Sequence, residues 1–183
     1  MFHTTCAHGA DSMAHVILAG FMATGKTEVG RRLARLMGRT FVDTDGLVEA
    51  TAGRSVAEIF ATDGEGRFRE LEREAVARVV TMPDAVVAVG GGALVDPASR
   101  RRLLAAGPVV CLRATPEAIL ARVGDATSRP LLASLSKEER LAKVQELIAA
   151  REAAYRAATH DLDTTDLSID EVVDRVRALV GEA

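Results

Sequence analysis

The sequence predicts an α/β domain: a parallel sheet with helices on both faces. Short apolar runs of strand length alternate with longer stretches of helical periodicity, and the first apolar run passes through a glycine-containing turn directly into a helix. Composition agrees. With 183 residues, 48% of them hydrophobic and two cysteines, the chain can bury one core of ordinary size without a disulfide framework.

The elements follow in order. Residues 1–13 carry no periodicity, no Lys or Arg and no apolar run. They are expected to form a disordered leader without a secretory signal, with Met13 as a second candidate start, and a single domain is expected over 14–183. Strands are predicted at 15–19, 40–43, 85–89, 109–113 and 160–163, each short and mostly rich in Val, Ile or Leu. Helices are predicted at 26–37, 56–60, 65–80, 97–105, 116–122, 137–159 and 169–180. Three of them open on cap chemistry: Ser55 with Glu58 three residues on, Asp96 before Pro97, and Thr115 before Pro116. Residues 125–136 hold Thr, Ser, Pro and a lone Arg129 between two helical patterns and read as an exposed loop.

A formal net charge of −3 and 3% aromatics offer neither a basic excess for a nucleic-acid backbone nor stacking platforms for bases. No apolar stretch approaches the roughly 18 residues of a membrane span. The expectation is a cytoplasmic protein that binds neither nucleic acid nor membrane.

Chemistry concentrates in four places. Gly20-Phe21-Met22-Ala23-Thr24-Gly25-Lys26-Thr27 is a G-x-x-x-x-G-K-T phosphate loop between strand and helix. Its backbone N–H groups and the helix N-terminus face an anion, Lys26 adds a point charge, and the Thr27 hydroxyl can reach Mg²⁺. Asp43-Thr44-Asp45 ends the second strand, where residues two apart share a face, so one carboxylate can approach the metal and the other an acceptor hydroxyl. An acidic pair there also suits a turn and helix cap. Gly90-Gly91-Gly92 stops the third strand and exposes bare backbone to a ligand, or forms a flexible loop. Arg69, Arg129 and Arg151 carry guanidinium forks that match a carboxylate or phosphate.

These segments, with Phe68-Arg69-x-x-Glu72, Arg129-Pro130-Leu131-Leu132 and Arg151-x-x-x-Tyr155 in the same order, resemble the shikimate kinase family over about residues 15–180. The resemblance implies a three-layer P-loop fold like that of nucleoside monophosphate kinases, with a five-stranded parallel sheet, an acceptor-binding segment at about 44–76 and a lid at about 124–136. It implies transfer of the γ-phosphoryl of ATP to the 3-hydroxyl of shikimate by a monomer, with Mg²⁺ as cofactor. ATP would be held by Ala23, Thr24, Gly25, Lys26, Thr27, Glu28, Arg122 and Arg129, and Mg²⁺ by Thr27 and Asp43. Shikimate would be held by Asp45, Arg69, Arg151, Gly90, Gly91 and Gly92, with Phe60 and Phe68 as walls. Asp45, Lys26 and the lid arginine Arg129 would act in catalysis. Two departures from the family pattern stand out: Ala23-Thr24 replaces a glycine-rich middle of the loop, and 163–166 lacks an arginine for adenine. A gluconate kinase or another kinase of a carboxylated polyol, and a nucleotide-binding regulator without transfer activity, are the competing readings.

Overall fold

Five strands, β1 (Val16–Gly20), β2 (Thr40–Asp43), β3 (Ala85–Ala88), β4 (Val109–Arg113) and β5 (His160–Asp163), form one sheet in the order β2-β3-β1-β4-β5, every neighbour parallel. The computed structural model describes residues 14–124, 132 and 135–181. The leader 1–13, Arg129 and most of the expected lid loop lie outside the described residues.

Helices cover the sheet on both sides: α1 (Lys26–Met37), α2 (Thr44–Ala52), α3 (Val56–Thr62), α4 (Gly64–Val79), α5 (Pro97–Ala106), α6 (Pro116–Val123), α7 (Lys137–Tyr155) and α8 (Ile169–Leu179). The strand period of two divides each central strand between two cores. Ile17, Val87, Val109 and Cys111 point to the layer of α4 to α7, with Val76, Leu103, Ile119 and Val144. Leu18, Val86, Val110 and Leu112 point to α1 and α8, with Val29, Leu33, Val172 and Val176. The edge strands β2 and β5 are short and partly exposed, with Asp and His among their residues, which discourages pairing with another chain. Val48, Ile59, Phe68, Leu71 and Ala75 form a separate small cluster that binds α2, α3 and α4 together.

The three predicted caps are present, Ser55 and Glu58 as a complete capping box, Asp96 and Thr115 as N-caps before proline. Two predictions are corrected. Asp45 is not on a strand: β2 ends at Asp43, whose carboxylate caps α2 by accepting from the Asp45 N–H at 3.1 Å. The unpredicted α2 carries Gly46 and two threonines, and buries only Thr44 and Val48, so its periodicity is faint. The second correction is that α7 ends at Tyr155 rather than 159. The next residues close tight turns, Ala157 N–H to the Ala154 carbonyl and Ala158 N–H to that of Tyr155, so that the Thr159 hydroxyl can accept from Val109 N–H and start β5 beside β4.

Gly20 is where β1 becomes the phosphate loop. Its φ is +129°, and a Cβ there would run into the carbonyl of Leu112 on β4. Gly20→Ala is therefore expected to cost about 2–4 kcal/mol of stability in urea unfolding, from backbone strain plus overpacking; an unchanged midpoint would show that the β1–β4 contact yields.

Candidate active site

Three neighbouring strand ends, those of β2, β3 and β1, release their loops at one edge of the sheet, where a parallel α/β fold leaves its crevice. A cleft of about 720 Å³ opens there. Of the residues singled out above, Ala23, Gly25, Lys26, Thr27, Glu28, Asp43, Asp45, Phe60, Phe68, Arg69, Gly90, Gly91, Gly92 and Arg151 line it. A second hollow of about 300 Å³ lies across the phosphate loop, lined by Thr24, Arg122, Thr164 and the start of α8 among others.

The loop is braced from within. Thr24, buried, donates to the Phe21 carbonyl at 2.9 Å, and the Lys26 ammonium donates to the Gly20 and Phe21 carbonyls at 3.0 and 2.7 Å. Ala23 is the one non-glycine among the described residues with a left-handed backbone, φ 57°, an arrangement that costs about 1 kcal/mol. It stands at the departure from the glycine-rich pattern, and the bonds of Thr24 and Lys26 hold the turn on either side of it. Gly25 caps α1 at φ 96°, and no side chain among the described residues makes a cap hydrogen bond there.

Thr27 Oγ1 donates to Asp43 Oδ2 at 2.9 Å, which sets a hydroxyl and a carboxylate together at the mouth of the loop. Both are hard oxygen donors. No group of three or more His, Cys, Asp or Glu side chains suited to a metal occurs among the described residues. The pair suits Mg²⁺, which is held by one or two protein oxygens while phosphates and water fill the remaining positions.

Asp45, in the first turn of α2, aims Oδ1 at Gly90, and this buried oxygen has no hydrogen-bond partner among the described residues. Burial, then the neighbouring Asp43 carboxylate, pushes the Asp45 carboxyl up to about 6, with Lys26 acting in the opposite direction. The buried Glu72 approaches the same point from α4, its Oε1 likewise unpartnered and its Oε2 accepting from Arg69 at 2.8 Å. Arg69 also donates through Nε and Nη2 to Glu65 and lies over the Phe68 ring. Phe60 and Phe68 stack at 4.7 Å between centroids. Arg151 lies over Phe21, 5.2 Å from its centroid, and donates to the Gly91 carbonyl at 3.3 Å.

None of Gly90, Gly91 and Gly92 has a positive φ. They are glycines because space is short: a Cβ on Gly90 would meet Glu72 and Asp45 at 2.5 and 2.8 Å, one on Gly91 would meet Arg151 at 3.1 Å, and one on Gly92 would overlap the Arg69 guanidinium. The flexible-loop alternative is thereby replaced by close approach of charged side chains to bare backbone.

Arg122 donates to the carbonyls of Thr164 and Thr165 at 2.5 and 3.0 Å, and so braces the loop after β5 from α6. That loop supplies no arginine of its own. Among the residues in or beside the cleft, sequence reasoning gave no role to Thr44, Glu49, Glu72 or Tyr155. Glu72 and Tyr155 stand inside the quoted segments, but their partners are fixed only by the packing of α4 and α7. Arg129 lies outside the described residues.

Comparison with known proteins agrees with this geometry. A family model described as shikimate kinase matches residues 22–180. A shikimate kinase of Caldanaerobacter subterraneus is 42% identical over 164 residues, covering 90% of this chain and 94% of that one, and the Geobacter sulfurreducens shikimate kinase is 45% identical over 168 residues, covering 92% and 91%. The structure of shikimate kinase from Acinetobacter baumannii in complex with shikimate superposes with a TM-score of 0.87 at 32% identity, over 92% of this chain and 93% of that one. On its sequence, its strand order and the residues gathered at its sheet edge, this chain belongs to the shikimate kinase family.

Proposed function

We propose that the chain transfers the γ-phosphoryl group of ATP to the 3-hydroxyl of shikimate, giving 3-phosphoshikimate and ADP on the route to chorismate and the aromatic amino acids. The observation that carries this reading is the meeting, in one cleft, of a phosphate loop, a buried carboxylate oxygen without a hydrogen-bond partner among the described residues, and two arginines, Arg69 over Phe68 and Arg151 over Phe21. A nucleotide-binding regulator needs only the first of these.

The nucleotide phosphates occupy the N-terminus of α1, where the loop backbone, Gly25 and Lys26 meet their charge; Ala23, Thr24 and Glu28 complete the rim. Thr27 and Asp43 would hold Mg²⁺, which would supply neutralising charge for the terminal phosphates. Arg122 and the hollow beside Thr164 take the nucleotide base. Arg69 and Arg151 bind the shikimate carboxylate through their forks, Phe60 and Phe68 wall the ring, and Gly90, Gly91 and Gly92 present backbone to it. Asp45 then receives the proton of the 3-hydroxyl as that oxygen forms its bond to the γ-phosphorus and the bond to the ADP oxygen breaks. Arg129, on a lid at about 124–136, adds positive charge to the transferring group and excludes water. The acceptor-binding segment at about 44–76 has its own small core, and the protein works as a monomer in the cytoplasm, binding neither nucleic acid nor membrane.

A coupled assay with ATP, Mg²⁺ and either shikimate or gluconate is expected to show turnover on shikimate alone; turnover on gluconate alone would transfer the site to the competing acid class. Asp45→Asn is expected to retain ATP binding by calorimetry while kcat falls about 10²-fold or more, and a kcat near wild type would remove the proton from Asp45. Arg151→Lys is expected to raise the shikimate KM about tenfold, since an ammonium cannot reproduce the bidentate fork. A change confined to the ATP KM would put Arg151 on the nucleotide side.

A further inference from the structure

Tyr155 has no part in the chemistry just described, yet its hydroxyl is aimed at the acceptor side of the cleft. It is the last residue of α7, 3% exposed, and its Oη donates to the Gly91 carbonyl at 2.8 Å. Arg151, one helical turn earlier, donates to the same oxygen at 3.3 Å. Burial pushes the phenol up to about 12, so it stays protonated and a donor at neutral pH.

The Gly90 N–H and the other two carbonyls of the glycine run have their own partners. The buried Thr44 hydroxyl accepts from Gly90 N–H at 3.0 Å, the Gly90 carbonyl accepts from Ala93 at 3.0 Å, and the Gly92 carbonyl accepts from Val95 at 2.9 Å. The N–H groups of Gly91 and Gly92 are left without a partner among the described residues. Because a trans peptide is planar, the Gly92 N–H points opposite to the Gly91 carbonyl that Tyr155 holds. A peptide between two glycines has no side chain to resist rotation of its plane, so its direction is set by whatever grips the carbonyl. Were Arg151 the sole grip, the same guanidinium would have to anchor the loop and receive the acceptor's carboxylate.

We infer that Tyr155 is a positioning residue for the acceptor: its hydroxyl fixes the Gly91–Gly92 peptide so that the Gly92 N–H is presented to the acceptor and the Arg151 fork is released for the carboxylate. The inference rests on the acceptor reading proposed above. Tyr155→Phe removes one oxygen and leaves the ring in its core. Its shikimate KM is expected to rise about fivefold, the loss of one neutral hydrogen bond, while the ATP KM stays within about twofold. Tyr155 is also the single tyrosine of the chain, so biosynthetic replacement by 3-fluorotyrosine labels this position alone without depending on the folding of a variant. Its fluorine resonance is expected to shift on addition of shikimate and much less on addition of ATP. An unchanged shikimate KM in Tyr155→Phe, an equal rise in both KM values, or a resonance indifferent to shikimate overturns the role of Tyr155 alone. Wild-type protein inert toward shikimate overturns the acceptor reading and this inference with it.

Discussion

The register of three parallel strands sets where every group of the cleft can stand. Ala88 of β3 pairs with Leu18 of β1 on one side and with Asp43 of β2 on the other. Two residues beyond that line lie Gly20, the last residue of β1, Gly90, in the turn that leaves β3, and Asp45, in the first turn of α2. The consequences are direct: a Cβ on Gly90 would reach Asp45, and one on Gly91 would stand 3.5 Å from the Gly20 carbonyl. A slip of one residue in either pairing would turn the strand over and carry its loop away from the other two. Such a slip would also exchange the side chains that β1 and β3 pack into the two cores, so the burial of Ile17 and Leu18 on opposite faces bears on chemistry two residues away.

Charge in the cleft is arranged in layers. Lys26, Arg69 and Arg151 supply positive charge for anionic ligands, but Asp43, Asp45 and Glu72 interleave with them, and the pocket is not a simple basic funnel. Arg69 illustrates the result. With Glu72 on one nitrogen and Glu65 on two others, its guanidinium is held in place before any ligand arrives, so less side-chain freedom is lost on binding. Glu72 answers two neighbours at once, as the Arg69 anchor through Oε2 and as a second negative charge facing Asp45 through Oε1. That second oxygen is costly to bury, and the bond to Arg69 offsets the cost.

Much of this was legible in the sequence because it is written locally. The phosphate loop, the strand-length apolar runs and the Ser55, Asp96 and Thr115 caps each declare themselves within a few residues. The site residues that the resemblance implied fall in the two hollows wherever the structure describes them. What sequence could not supply were the relations that the sheet creates. Asp45 looked like a strand residue because α2 buries only Thr44 and Val48, too little to show a helical stripe. Tyr155 and Thr44 meet the glycine run across 64 and 46 residues of chain, and neither residue type signals a bond to a backbone peptide. Arg122 reaches the loop after β5 across more than 40 residues, so the missing arginine in that loop said little about which groups border the second hollow.

The same frame accounts for where the protein tolerates local cost. Six of its helices, α2, α3, α5, α6, α7 and α8, begin with a side-chain cap, three of them as full capping boxes. The N-terminus of α1 begins with Gly25 at φ 96°, a conformation that an L side chain adopts only with strain, and has no side-chain cap among the described residues. A capping side chain would fill the position that the loop holds open and would take N–H groups that an anion needs. Ala23, with its left-handed backbone, adds a second local cost two residues earlier. Both sit against β1, whose five residues are all buried, and Thr24 and Lys26 close the loop onto the last carbonyls of that strand and turn. A fully buried strand thus leads directly into a backbone of local cost, and its packing holds the loop in the shape that suits a phosphate.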